Sequence, residues 1–172
     1  MTLLDFLLKN KDNRGVLAAL RKALAPTTET RAWPYLARFD GIGQNPKARA
    51  VRTVAGLFAL HPENCSDGNM GDTCRALCRD TDEHPWETVD AVGRAVTPGT
   101  VSRKFGWLLA ADPEEICDRV TRVVRYAKSK GIPVNYAQLE KDLANWPYAR
   151  EAWARNFWAV EKADSAGEEG AS

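Results

Sequence analysis

The sequence predicts an all-α protein, a compact multi-helix bundle made of two helical subdomains. Three observations carry this. Apolar residues recur at helical spacing in most segments, few segments alternate as strands do, and the periodic stretches are bracketed by capping residues and helix stoppers. At 172 residues, with 44% hydrophobic and 27% charged side chains, the chain has an ordinary globular mixture and enough length to bury a proper core.

A first short helix is expected over Leu3 to Leu8. The second begins near Asn13, turns Val16, Leu17, Leu20 and Leu24 inward, and stops before Pro26. Another falls around Trp33 to Phe39, and Asn45 with Pro46 then starts a strong helix reaching Leu60, with Val51, Val54, Ala55 and Phe58 on its core face. Residues 62–71 are rich in Gly, Asn, Asp and Ser and read as a loop. Cys74 to Cys78 lies in the middle of a short helix, and Thr81 to Pro85 is a polar break. Thr97, Pro98 and Gly99 place a division between an N-terminal subdomain, 1–97, and a C-terminal one, 98–162.

The second half starts with a helix over Val101 to Ala111. Next comes a segment with Asp112 as N-cap, Pro113 at the first helical position and Glu115 placed for a capping box. Its core stripe is Ile116, Val120, Val123, Val124 and Ala127, and Gly131 and Pro133 end it. Two more helices carry Tyr136, Leu139, Leu143 and Trp146, then Trp153, Phe157 and Val160. Residues 163–172, a Gly/Ala/Ser/Glu run, are expected to form a disordered tail.

No run is long enough to span a bilayer, and the LLDFLL segment is too short for a signal-peptide core and lacks a preceding basic region. A cytoplasmic protein with reduced cysteines and no membrane partner is expected. Net charge is only +1, but the last ten residues hold Asp164, Glu168 and Glu169 and no base, and Asp80, Asp82, Glu83, Glu87 and Asp90 cluster in one zone. Other surfaces are therefore distinctly basic.

The basic faces are candidates for nucleic-acid backbone. Arg14, Arg21 and Lys22 share one helix face, with the small Ala18 between them, and no acid occurs from Asn13 to Thr28. Lys47, Arg49 and Arg52 repeat the pattern in a stretch free of acids between Asp40 and Glu63. Arg103 and Lys104 stand beside Phe105 and Trp107, a mixture suited to a backbone with stacked bases, although such aromatics are more often core. Arg119 and Arg122 have acids four residues before them, Glu115 and Asp118, which would neutralise them locally; Arg125 has none, and Lys128 lies in the helix's last turn. A solvated helix face would look the same.

His61, Cys65, Cys74, Cys78 and His84 could supply zinc ligands, but no CxxC pair is present and the Cys74 to Cys78 spacing fits two buried thiols on adjacent turns. No metal or other cofactor is expected. Two histidines, both followed by proline, and the lack of phosphate-binding, metalloprotease or nucleophile-elbow motifs argue against an enzyme.

Taken together, RGVLAALRKAL, RTVAGLFALHP, GNMGDTCRALC, SRKFGWLLAAD, VVRYAKSKGIPVNYAQLEKDL and ARNFW, in this order, resemble the CasB-type small-subunit family of type I-E CRISPR surveillance complexes, a component of Cascade. Where that family carries a denser basic run before the LLAAD segment, this chain has Arg103 and Lys104, then Gly106 and Trp107. The resemblance implies a non-catalytic helical subunit in antiviral defence, present as two head-to-tail copies beside other Cascade subunits. It further implies contact with guide RNA, target DNA and the displaced strand through basic surfaces, stabilising the R-loop. Arg21, Lys22, Arg52, Arg103, Lys104 and Arg122 match or adjoin the family's basic positions. Arg14, Lys47, Arg49, Arg125 and Lys128 rest on the face analysis alone. A protein-only helical adaptor, whose basic faces meet acidic partners, is the alternative.

Overall fold

The chain starts its helices mainly on side chains that accept from exposed backbone N–H groups. In the computed structural model, which describes residues 1–85, 92–94 and 97–159, nine α-helices and several 3-10 turns are found among the described residues and no strand. Thr2 and Asp5 form a reciprocal capping box at α1 (Leu3–Lys9), and Asn13 caps α2 (Arg14–Arg21). A 3-10 turn over Lys22–Leu24 extends α2, and α3 (Trp33–Leu36) is continued by another over Ala37–Phe39. Asn45 caps α4 (Pro46–Leu60), with proline at the first position, and Asn69 with Asp72 forms a second capping box at α5 (Met70–Asp80).

Beyond the break, α6 (Thr100–Leu109) follows Gly99, which has no side chain to cap it. Glu83 fills that role from the polar break, accepting from the Val101 and Ser102 N–H groups at 3.0 and 3.3 Å. Helix α7 (Ile116–Lys130) begins at Ile116 rather than at Pro113, because residues 113–115 form a turn. Only half of the expected capping box is made, the Asp112 N–H donating to Glu115 Oε2 at 3.5 Å. Gly131, left-handed at φ 66°, closes α7. Asn135 caps α8 (Tyr136–Ala144), and α9 (Arg150–Phe157) is the last described helix; Val160, Glu87, Asp90 and residues 163–172 lie outside the described residues.

Helix α4 is the centre. It packs against α2, α8, α7 and α1, and α5 packs against α9, α6 and α7. Residues 50–59 are buried on every side, not only along the stripe through Val51, Val54 and Phe58. The division expected near 97–98 runs through a continuous core: α8 lies on α4, and α9 lies on α5. Tyr136 fastens α8 to the end of α4, its hydroxyl donating to the carbonyls of Leu57 at 3.2 Å and His61 at 2.5 Å. An isolated bridge between Asn64 and Val134 ties the 61–69 loop to the α7–α8 connection.

Candidate nucleic-acid interface

Helix α2 presents Arg14, Ala18 and Arg21, all exposed, and the exposed Lys22 follows in the 3-10 turn. Among the described residues none of the three cations has an acidic partner within 4.0 Å. Arg21 is not loose, however. Its Nε–H donates to the Ala59 carbonyl at 3.0 Å, in the last turn of α4, where free carbonyls and the helix dipole favour a cation.

The second basic stretch is different, because α4 is the central helix. Arg52 is 4% exposed: its guanidinium donates to the carbonyls of Gly41 at 2.8 Å and Gly43 at 2.6 Å and pairs with Glu29 at 3.4 Å. The expectation that Arg52 meets a strand is corrected; it fastens the loop before α4 and the 3-10 turn of Glu29 to the core. Lys47 is held by Asp40, which raises its pKa, and Arg49 lies 3.9 Å from Glu114. An acid-free stretch of sequence thus acquires acids from other segments on folding.

A third face lies across α6 and α7. Arg103 and Lys104 are exposed, and Lys104 stands 5.7 Å from the Tyr126 ring. Arg122 does not form the expected pair with Asp118. It stacks on Trp107 instead, at 5.5 Å, so its charge is not neutralised. Arg119 does pair with Glu115, at 2.7 Å, and also lies over Trp107, at 4.9 Å, donating to that residue's carbonyl. Arg125 and Lys128 are exposed on α7 with no acidic partner among the described residues. Trp107 and Arg119 are the additions the structure makes to this face. Trp107 carried a sequence signal, its place beside Arg103 and Lys104, weighed against a core role; Arg119 carried none, since it read as paired with Glu115.

The Cys/His set does not assemble. Among the described residues no three of His, Cys, Asp and Glu are placed to hold a metal ion. His61 donates from Nε2 to the Ile132 carbonyl at 2.7 Å. Burial pushes the Cys74 thiol up, and Cys78 up to about 12, so both are small protonated core side chains at neutral pH.

The geometry defines an all-helical protein whose notable surfaces are basic helix faces. The family model for the CRISPR-associated protein Cse2 matches residues 16–158, and the chain belongs to that family. No curated protein matches the sequence. Among solved structures, a CRISPR-associated Cse2-family protein from Thermus thermophilus is similar at a TM-score of 0.70 and 22% identity, over 92% of this chain and 96% of that one. CasB of M. ruber matches at 0.66 and 21%, covering 90% of each chain. A chain of a CRISPR RNA-guided surveillance complex matches at 0.63 and 17%, over 91% of this chain and 88% of its own. At these identities the structural likenesses speak to the fold.

Proposed function

We propose that this chain is a non-catalytic, cytoplasmic subunit of a type I-E RNA-guided surveillance complex, and that it steadies the R-loop by neutralising nucleic-acid backbone. Its partners on this reading are guide RNA, the target and displaced DNA strands, other Cascade subunits and a second copy of itself. The observation that carries it is a set of exposed cations on two helical faces, Arg14, Arg21 and Lys22 on one and Arg103, Lys104, Arg122, Arg125 and Lys128 on the other, that folding leaves without acidic partners among the described residues.

Exchanging a DNA duplex for an RNA–DNA heteroduplex is nearly balanced, so a few phosphate contacts decide its direction. Base pairing reads the sequence, and the subunit needs only cations on rigid helices. Arg49 and Lys47 are secondary on this reading, since Glu114 and Asp40 already occupy them.

In the assembled complex, reversing Arg14, Arg21 and Lys22 to glutamate is expected to weaken target binding regardless of sequence. The salt dependence of the binding constant should flatten by about one unit of slope per lost phosphate contact. An unchanged slope removes this face from the assignment. A short RNA should co-purify with the tagged protein from its native cell, and its absence favours the protein-only adaptor.

A further inference from the structure

We propose that the cleft between α6 and α7 holds an unpaired nucleotide of a single strand, its base against the Trp107 indole and its phosphate on Arg103 and Lys104. This rests on the nucleic-acid reading above and narrows it, because neutralising backbone requires no aromatic surface. The cleft, about 300 Å³, is lined among the described residues by Arg103, Lys104, Trp107, Arg122 and Val123, none of them an acid. Two other cavities mix both signs, one bearing Glu29, Glu114 and Asp118 beside Arg49 and Arg52, the other Asp40 and Glu140 beside Arg38, Lys47 and Lys141. An anion meets carboxylates in those two and only cations among the described charged residues of the first.

The two aromatics of α6 have separate fates. Phe105 is fully buried and stacks on Phe157 with centroids 4.0 Å apart, whereas Trp107 stays half-buried and lines the cleft. Arg119, tied to Glu115 and to the Trp107 carbonyl, steadies the indole. Arg122 lies over the same ring, 5.5 Å from its centroid, with no acidic partner among the described residues. An apolar floor with a rim of cations suits a planar base joined to a phosphate, and it is tolerant of sequence because every base has a π-face. An acidic protein segment would use the rim and leave the indole without a matching partner.

Two single-stranded DNA oligonucleotides of equal length and charge, one normal and one abasic, titrated at low salt against the full chain, separate the possibilities. The normal strand is expected to bind about fivefold tighter or more, the lower range of base–aromatic stacking. Trp107→Leu, which keeps apolar bulk, should abolish that preference by weakening the normal strand more than the abasic one, and Trp107→Phe should restore part of it. Arg103→Glu should weaken binding of both strands. Equal binding of the two strands by the unaltered chain, or a preference that survives Trp107→Leu, overturns the nucleotide cleft and leaves the backbone reading standing. Binding of neither strand overturns the nucleotide cleft, and the backbone reading is then decided by the salt slope of the assembled complex. Displacement by an acidic, aromatic-containing peptide, with no preference between the strands, makes the cleft a protein site and overturns the proposal.

Discussion

Arg52 shows how one side chain changes role between sequence and fold. Its guanidinium satisfies the carbonyls of Gly41 and Gly43 and the carboxylate of Glu29, all inside the molecule. Removing one member of such a buried set leaves the others desolvated and unpaired, a loss of roughly 3 kcal/mol or more. Arg52→Ala is therefore expected to lower the unfolding free energy measured in urea by that amount without altering the salt slope of nucleic-acid binding by the folded fraction. Arg52→Lys should recover only part of the stability, since a single ammonium cannot reproduce the planar fork. A binding defect with unchanged stability would return Arg52 to the interface.

At the scale of elements, α5 meets the backbone of α9 directly at Gly71. A Cβ added to Gly71 would overlap the backbone carbonyl of Trp153, which cannot rotate away, and the buried Trp153 is further fixed by its Nε1–H donating to Asp142 at 2.7 Å. Gly106, in the middle of α6, would meet nothing within 4 Å. Gly71→Ala should destabilise by several kcal/mol through forced separation of the two helices, whereas Gly106→Ala should stabilise by about 0.5–1 kcal/mol through helix propensity. Thermal melts of the pair check both signs. Helix existence was legible for the same reason that these effects are local: Asn13, Asn45 with Pro46, and Gly131 act within a few residues of where they stand. The start of α7 was misplaced because Pro113 opens a turn there and Asp112 completes only half its box.

Across the whole molecule, what the sequence could not reveal is which cations the fold would neutralise. Local spacing predicted a pair between Asp118 and Arg122, yet Trp107 takes Arg122; it predicted freedom for Lys47, Arg49 and Arg52, yet Asp40, Glu114 and Glu29 reach them from other segments. The lack of an acidic partner was legible for Arg14, Arg21 and Lys22, and for Arg125, because α2 packs its opposite side on α4 and no other described element brings an acid to these side chains. The same central position of α4 joins both halves of the chain in one core. Denaturant unfolding should accordingly follow a single transition, with far-UV and near-UV signals coincident. Two separated transitions would mean that the halves divided near 97–98 are independently stable.

The bond from Arg21 to the Ala59 carbonyl is in place before any strand arrives. A free arginine surrenders up to about 2 kcal/mol of rotamer entropy when it is fixed, and Arg21 has lost part of that freedom already, on folding. Ordering it on a phosphate thus costs the complex less than ordering the adjacent Lys22. The face meets a strand with one cation preset and the next one free to adapt.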